Sequence, residues 1–103
     1  MNTKETSKRS LGIRIVDDLK REIKARTKAE RKVIGEAINA VRDLWGHPHE
    51  HRGTGIRRLR KNVYECRVDL DERLAFVFVS TPPELAFFLL GTHDEVQKML
   101  KTL

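Results

Sequence analysis

Three side chains combine a chemistry and a spacing suited to work on a phosphate. Arg67 and Arg73 flank the turn region Asp69-Leu70-Asp71, and His93 lies in Gly91-Thr92-His93-Asp94-Glu95. A guanidinium holds phosphoryl oxygens through charge-assisted hydrogen bonds, and an imidazole takes or gives a proton near neutrality. Whether the three act together depends on the elements that carry them.

Around Arg67, residues 63–70 alternate: Tyr64, Cys66, Val68 and Leu70 against Glu65, Arg67 and Asp69. That period predicts a strand with a core face and a polar face. Residues 74–79 read as a second strand. After Pro82-Pro83, the apolar run 85–90 reads as a third, central one, which completes a meander. If Tyr64, Cys66 and Val68 share the buried face with Leu74, Phe76 and Phe78, even positions pair with even ones across an odd-length loop such as 69–71. Arg67 and Arg73 then meet on the other face. Like charges facing one another are unfavourable, so an anion between them would make sense of the pairing. The plain alternative is a solvated face on which Glu65 and Asp69 neutralise them.

Thr92 and Glu95 have capping-box spacing, and Val96, Met99, Leu100 and Leu103 follow with helical spacing. His93 therefore falls in the first turn of a helix at the exit of the third strand. The free N–H groups there attract phosphate, which suits a histidine for acid/base work. The alternative is a surface residue in an indifferent position.

The remaining elements form a frame. Residues 1–10 lack any aliphatic residue besides Met1 and read as a flexible N-terminal arm. Residues 11–16 read as a short strand, and Asp17 and Asp18 as the N-cap and first-turn carboxylates of a helix ending near Thr27. Thr27 and Glu30 form another capping box. Val33, Ile34, Ala37, Ile38, Val41, Leu44 and Trp45 then mark a second helix, stopped by Gly46 and Pro48. After a loop over 46–55, residues 56–59 could begin a strand. Arg52, Arg57, Arg58, Arg60 and Lys61 cluster without a carboxylate and read as a contact for an RNA backbone, or as charges guarding an edge strand. His47, His49 and His51 could direct three imidazoles to one side, but nothing near them completes a metal site, and no metal is expected.

Composition agrees with this scale. The 103 residues carry 21 Lys+Arg against 15 Asp+Glu, a net charge of +6, which favours polyanionic partners. One domain over 11–103 is the expectation. A single cysteine excludes an internal disulfide framework. No apolar run approaches the roughly 18 residues of a membrane span, and the first ten residues lack the apolar core of a signal peptide, so a cytoplasmic protein without a membrane partner is expected.

The run R-R-L-R-K-N-V-Y-E-C-R-V-D-L-D-E-R-L-A-F-V-F-V, with F-F-L-L-G-T-H-D-E-V-Q-K-M-L after it, resembles the RelE/ParE superfamily of toxins from type II toxin-antitoxin systems. The resemblance implies an α+β fold in the order β-α-α-β-β-β-α, with a small, mostly antiparallel sheet packed on a helical hairpin. It implies an endoribonuclease that cleaves mRNA, with the ribosome and an antitoxin protein as partners and no metal or small-molecule cofactor. By the same resemblance, Arg67 and Arg73 fall on the family's strand arginines and His93 on its catalytic histidine. Glu65 stands where some relatives carry lysine; from the face they share with the arginines, Glu65 or Asp69 could supply a second proton-transfer group. ParE-like members instead poison DNA gyrase, which leaves a non-catalytic binding module as the alternative.

Overall fold

The computed structural model describes residues 11–46 and 55–102. The arm at 1–10, Arg52 and the histidines at 47, 49 and 51 lie outside the described residues. Among those described, five strands and three helices follow in the order β1 (Gly12–Ile15), α1 (Asp17–Lys24), α2 (Lys28–Leu44), β2 (Arg57–Arg60), β3 (Val63–Arg67), β4 (Glu72–Ser80), β5 (Pro83–Thr92) and α3 (His93–Leu100). The expected order gains one strand, because Arg57–Arg60 forms a strand of its own. A two-residue turn, Lys61-Asn62, joins it to β3, with Asn62 at the positive φ of 64° that asparagine tolerates.

The sheet order is β1-β5-β4-β3-β2. Among the described strands only β1 and β5 run parallel, and that pairing returns β1 to the edge beside the meander through the α1–α2 hairpin. Leu19, Ile34, Ile38 and Val41 from the hairpin bury against Cys66, Leu74, Phe76, Leu85, Phe87 and Leu90 of the sheet. Trp45 closes one end of this core, packing edge-on against Tyr64 and Phe76 at centroid distances of 4.8 and 5.7 Å.

The run at 85–90 is continuous because β5 contains a bulge. Phe76 pairs with Phe87 but Ala75 with Leu89, so Phe88 is the extra residue. Odd positions Leu85 and Phe87 and even position Leu90 thereby share the hairpin side. The opposite face receives α3, whose Val96 is fully buried.

Two local expectations are corrected. The N-cap of α1 is Val16, which makes no side-chain cap bond, and Asp17 and Asp18 are already inside the first turn. Leu70 is not a core residue: it stands 86% exposed at the tip of the β3–β4 turn, past the end of β3. Both capping boxes form as expected, at Thr27–Glu30 and at Thr92–Glu95.

Candidate functional site

The register of β3 and β4 decides whether the arginines meet. Tyr64 pairs with Phe76, Cys66 with Leu74 and Arg67 with Arg73, so even positions face even ones as the alternation requires. Among the described residues neither guanidinium is paired with a carboxylate. Arg73 is instead held by its own turn, where Nη1 donates to the carbonyls of Asp69, Leu70 and Glu72 at 3.1, 3.3 and 3.2 Å. Asp69 shapes that turn. Its Oδ1 accepts from the backbone N–H groups of Asp71 and Glu72, both at 2.8 Å. Those bonds favour the ionised form and hold the Asp69 carboxyl below the usual aspartate range. Asp69 is thus occupied in the turn, and the nearby charges of Arg73 and Arg26 favour its ionised form as well.

The turn is tied in its turn to the helical hairpin. Arg26 donates from Nη1 and Nη2 to the two carboxylate oxygens of Glu72 at 3.1 and 2.7 Å, and Glu22 and Glu30 flank it at 3.7 Å. A bidentate, partly buried pair of this kind fixes direction as well as distance.

His93 is the first residue of α3. The Thr92 hydroxyl accepts from the Glu95 N–H at 3.2 Å, and the Glu95 carboxylate accepts from the Thr92 N–H at 2.7 Å. Glu95 folds back over Gly91, where a Cβ would lie 2.9 Å from its Oε1 and 3.2 Å from its Cβ, so the missing side chain leaves room for the cap.

Beneath the imidazole lies Glu65. Sequence alternation puts it on a polar face, yet it is only 3% exposed, with His93 of α3 and Arg57 of β2 beside it. Its Oε2 stands 3.9 Å from His93 Nδ1 and 3.3 Å from Arg57 Nη2, and its Oε1 is buried without a hydrogen-bond partner among the described residues. Arg57 is directly opposite Glu65 across the β2–β3 pair. Gly55, at φ +62°, lies against Arg67 so closely that a Cβ would touch Arg67 Cβ at 3.0 Å. Gly55, Ile56, Arg57, Glu65, Arg67, Arg73 and His93 together line one hollow of about 450 Å³. Three guanidinium groups face one carboxylate there, an arrangement that attracts an anion.

The solved structures supply a match to this architecture. The chain is similar to an archaeal RelE-RelB complex from Pyrococcus horikoshii OT3, with a TM-score of 0.65 and 13% identity over 81% of this chain and 94% of that one. The fold is RelE-like. No protein-family model matches the sequence, and no curated protein does either.

Within this RelE-like fold the hollow gathers Arg67, Arg73, His93, Glu65 and, from the basic segment, Arg57. Arg58, Arg60 and Lys61 are exposed on the edge strand β2 and its turn, outside the hollow. The place of Arg57 could not be read locally. Counting back regularly from Arg60 opposite Val63 would set Arg57 against Cys66, and the register irregularity between Arg58 and Arg60 moves it onto Glu65. Gly55 and Ile56 carried no chemical signal and enter as wall.

Proposed function

We propose that this chain is the toxin of a toxin-antitoxin pair and cleaves RNA. The observation that carries the reading is the convergence of Arg67, Arg73 and His93 on one open hollow. In this reaction the ribose 2′-oxygen attacks the adjacent phosphorus and the P–O5′ bond breaks. The products are a 2′,3′-cyclic phosphate and a free 5′-hydroxyl, and the 2′-hydroxyl proton is in balance with the one gained by the departing 5′-oxygen. Arg67 and Arg73 hold the phosphoryl oxygens, where negative charge grows in the transition state. His93 moves the proton, accepting it from the 2′-hydroxyl or, once charged, delivering it to the leaving oxygen. Glu65, sealed from solvent, acts through the imidazole above it. Arg58, Arg60 and Lys61 extend the positive surface along β2 for the flanking RNA backbone.

The fold likeness to a RelE-RelB complex supports an antitoxin as the protein partner. The ribosome as the place of cleavage, with arrest of translation in the cytoplasm, completes the proposal. Induced expression of the wild type and of His93→Ala, followed by primer extension on cellular messages, tests it. The expected result is new RNA ends that vanish in the variant. Growth arrest without new ends, or ends indifferent to the substitution, removes the nuclease reading; a gyrase supercoiling assay then takes up the alternative.

A further inference from the structure

Arg57 and Glu65 are unlike partners. Glu65 is fixed in the floor with its side chain 4% exposed, while 58% of the Arg57 side chain is open to solvent. Their contact is a single one, at 3.3 Å to Oε2. It leaves Oε1 buried with no donor, and it leaves His93 Nδ1 at 3.9 Å, beyond hydrogen-bond reach of the same Oε2. A buried acceptor without a donor costs free energy, so the carboxylate is incompletely satisfied in this arrangement. On the guanidinium's side the pair is weak, since Arg57 has water to exchange with, while the buried carboxylate gives the contact up only when another donor takes its place.

We infer that Arg57 is a latch over Glu65 that a phosphate group releases, and that its release joins Glu65 to His93. The inference rests on the reading of the hollow as a phosphate site. A phosphate bound by Arg67 and Arg73 offers Arg57 two oxygens in the geometry its planar fork prefers. Arg57 swings from Glu65 to the phosphate. Among the described residues Glu65 then has one partner within reach, the imidazole, and the two close to hydrogen-bond distance with Nδ1–H donating to the carboxylate. That bond selects the tautomer in which Nε2 is the acceptor, on the side of the ring away from Glu65. The phosphate thereby assembles the proton-transfer group that acts on it, and without phosphate the imidazole is left unoriented. Arg57 is a phosphate-binding residue in this scheme, and Glu65 a positioning residue that acts through His93.

The test uses the full chain, inorganic phosphate as the probe, mildly alkaline buffer, and ¹⁵N NMR of the arginine and histidine side chains. The nitrogen shifts of His93 report directly which ring nitrogen carries the proton. In the wild type, phosphate is expected to move the Arg57 Nε resonance and to shift His93 toward the Nδ1–H form. Arg57→Gln is expected to show His93 in that form before phosphate is added, and to bind phosphate about tenfold more weakly, about 1.4 kcal/mol. Glu65→Gln, of the same shape, is expected to abolish the tautomer preference in both states. A wild-type His93 that keeps its tautomer while Arg67 and Arg73 report saturation overturns the latch, as does an Arg57→Gln protein whose His93 matches the unliganded wild type. Failure of the wild type to bind phosphate also overturns it. None of these readouts involves RNA cleavage, so a failed latch and a failed nuclease reading are told apart.

Discussion

The two capping boxes make a matched experiment. Thr27 caps α2 and Thr92 caps α3, and in each the hydroxyl accepts from the N–H three residues on, at 3.1 and 3.2 Å, while the glutamate carboxylate accepts from the threonine N–H, at 3.0 and 2.7 Å. Replacing either threonine by alanine removes one capping acceptor from an exposed helix start, a loss of about 1 kcal/mol. For a domain of this size, that lowers the melting temperature by about 5 °C. The two losses should be alike, because the geometry and exposure are alike. Their consequences in the hollow should differ, since His93 follows Thr92 directly and no residue adjoining Thr27 lines it. A frayed first turn lets the imidazole drift, and a displacement on the order of 1 Å costs a reacting group about 100-fold. Circular dichroism melts of Thr27→Ala and Thr92→Ala give the stability, and primer extension after induced expression reads the proposed RNA cleavage. The expected outcome is equal destabilisation, with cleavage reduced about 10- to 100-fold only in Thr92→Ala. Equal loss of cleavage in both, at equal stability, would refute the claim that the cap positions His93.

Three further outcomes follow from the geometry. Arg26→Met should destabilise the fold by about 1–3 kcal/mol, because Glu72 loses both charged hydrogen bonds in a partly buried setting; urea unfolding measures it, and a change under about 0.3 kcal/mol would mean the pair is ornamental. The backbone bonds that hold the Asp69 carboxyl low contribute stability that is present in full above the ordinary value of 3.8 and is lost as pH falls through the lowered folded value. Urea midpoints measured from pH 5 downward should therefore drop less steeply in Asp69→Asn than in the wild type, and parallel curves would contradict the assignment. Burial pushes the Cys66 thiol up to about 12, so a thiol reagent at neutral pH should label it only on unfolding, and rapid labelling of the folded chain would place it nearer the surface than a core residue.

The local order of elements was legible because local rules govern it. Both capping boxes, the helical spacing from Val33 to Trp45 and the alternation from Tyr64 to Val68 each involve residues within a few positions of one another, where period and hydrogen bonding act directly. The parity that pairs Arg67 with Arg73 was legible too, since the core face leaves the register no other choice. The helix start at His93 followed from Thr92 and Glu95 alone.

Two bulge-like irregularities and one layer of packing lay beyond that reach. The extra residue Phe88 and the shifted pairing at Arg58–Arg60 depend on how strands fit across the sheet, and no local pattern announces them. The alternation of β3 put Glu65 beside Arg67 on a polar face without indicating that one would be buried beside His93 and Arg57 and the other left open. The residue types that could do chemistry were thus written in the sequence itself. Which of them share a hollow, and that a carboxylate lies sealed beneath the histidine, was decided by tertiary packing, because burial depends on what the far end of the chain lays over a face and not on the period of the strand that carries it.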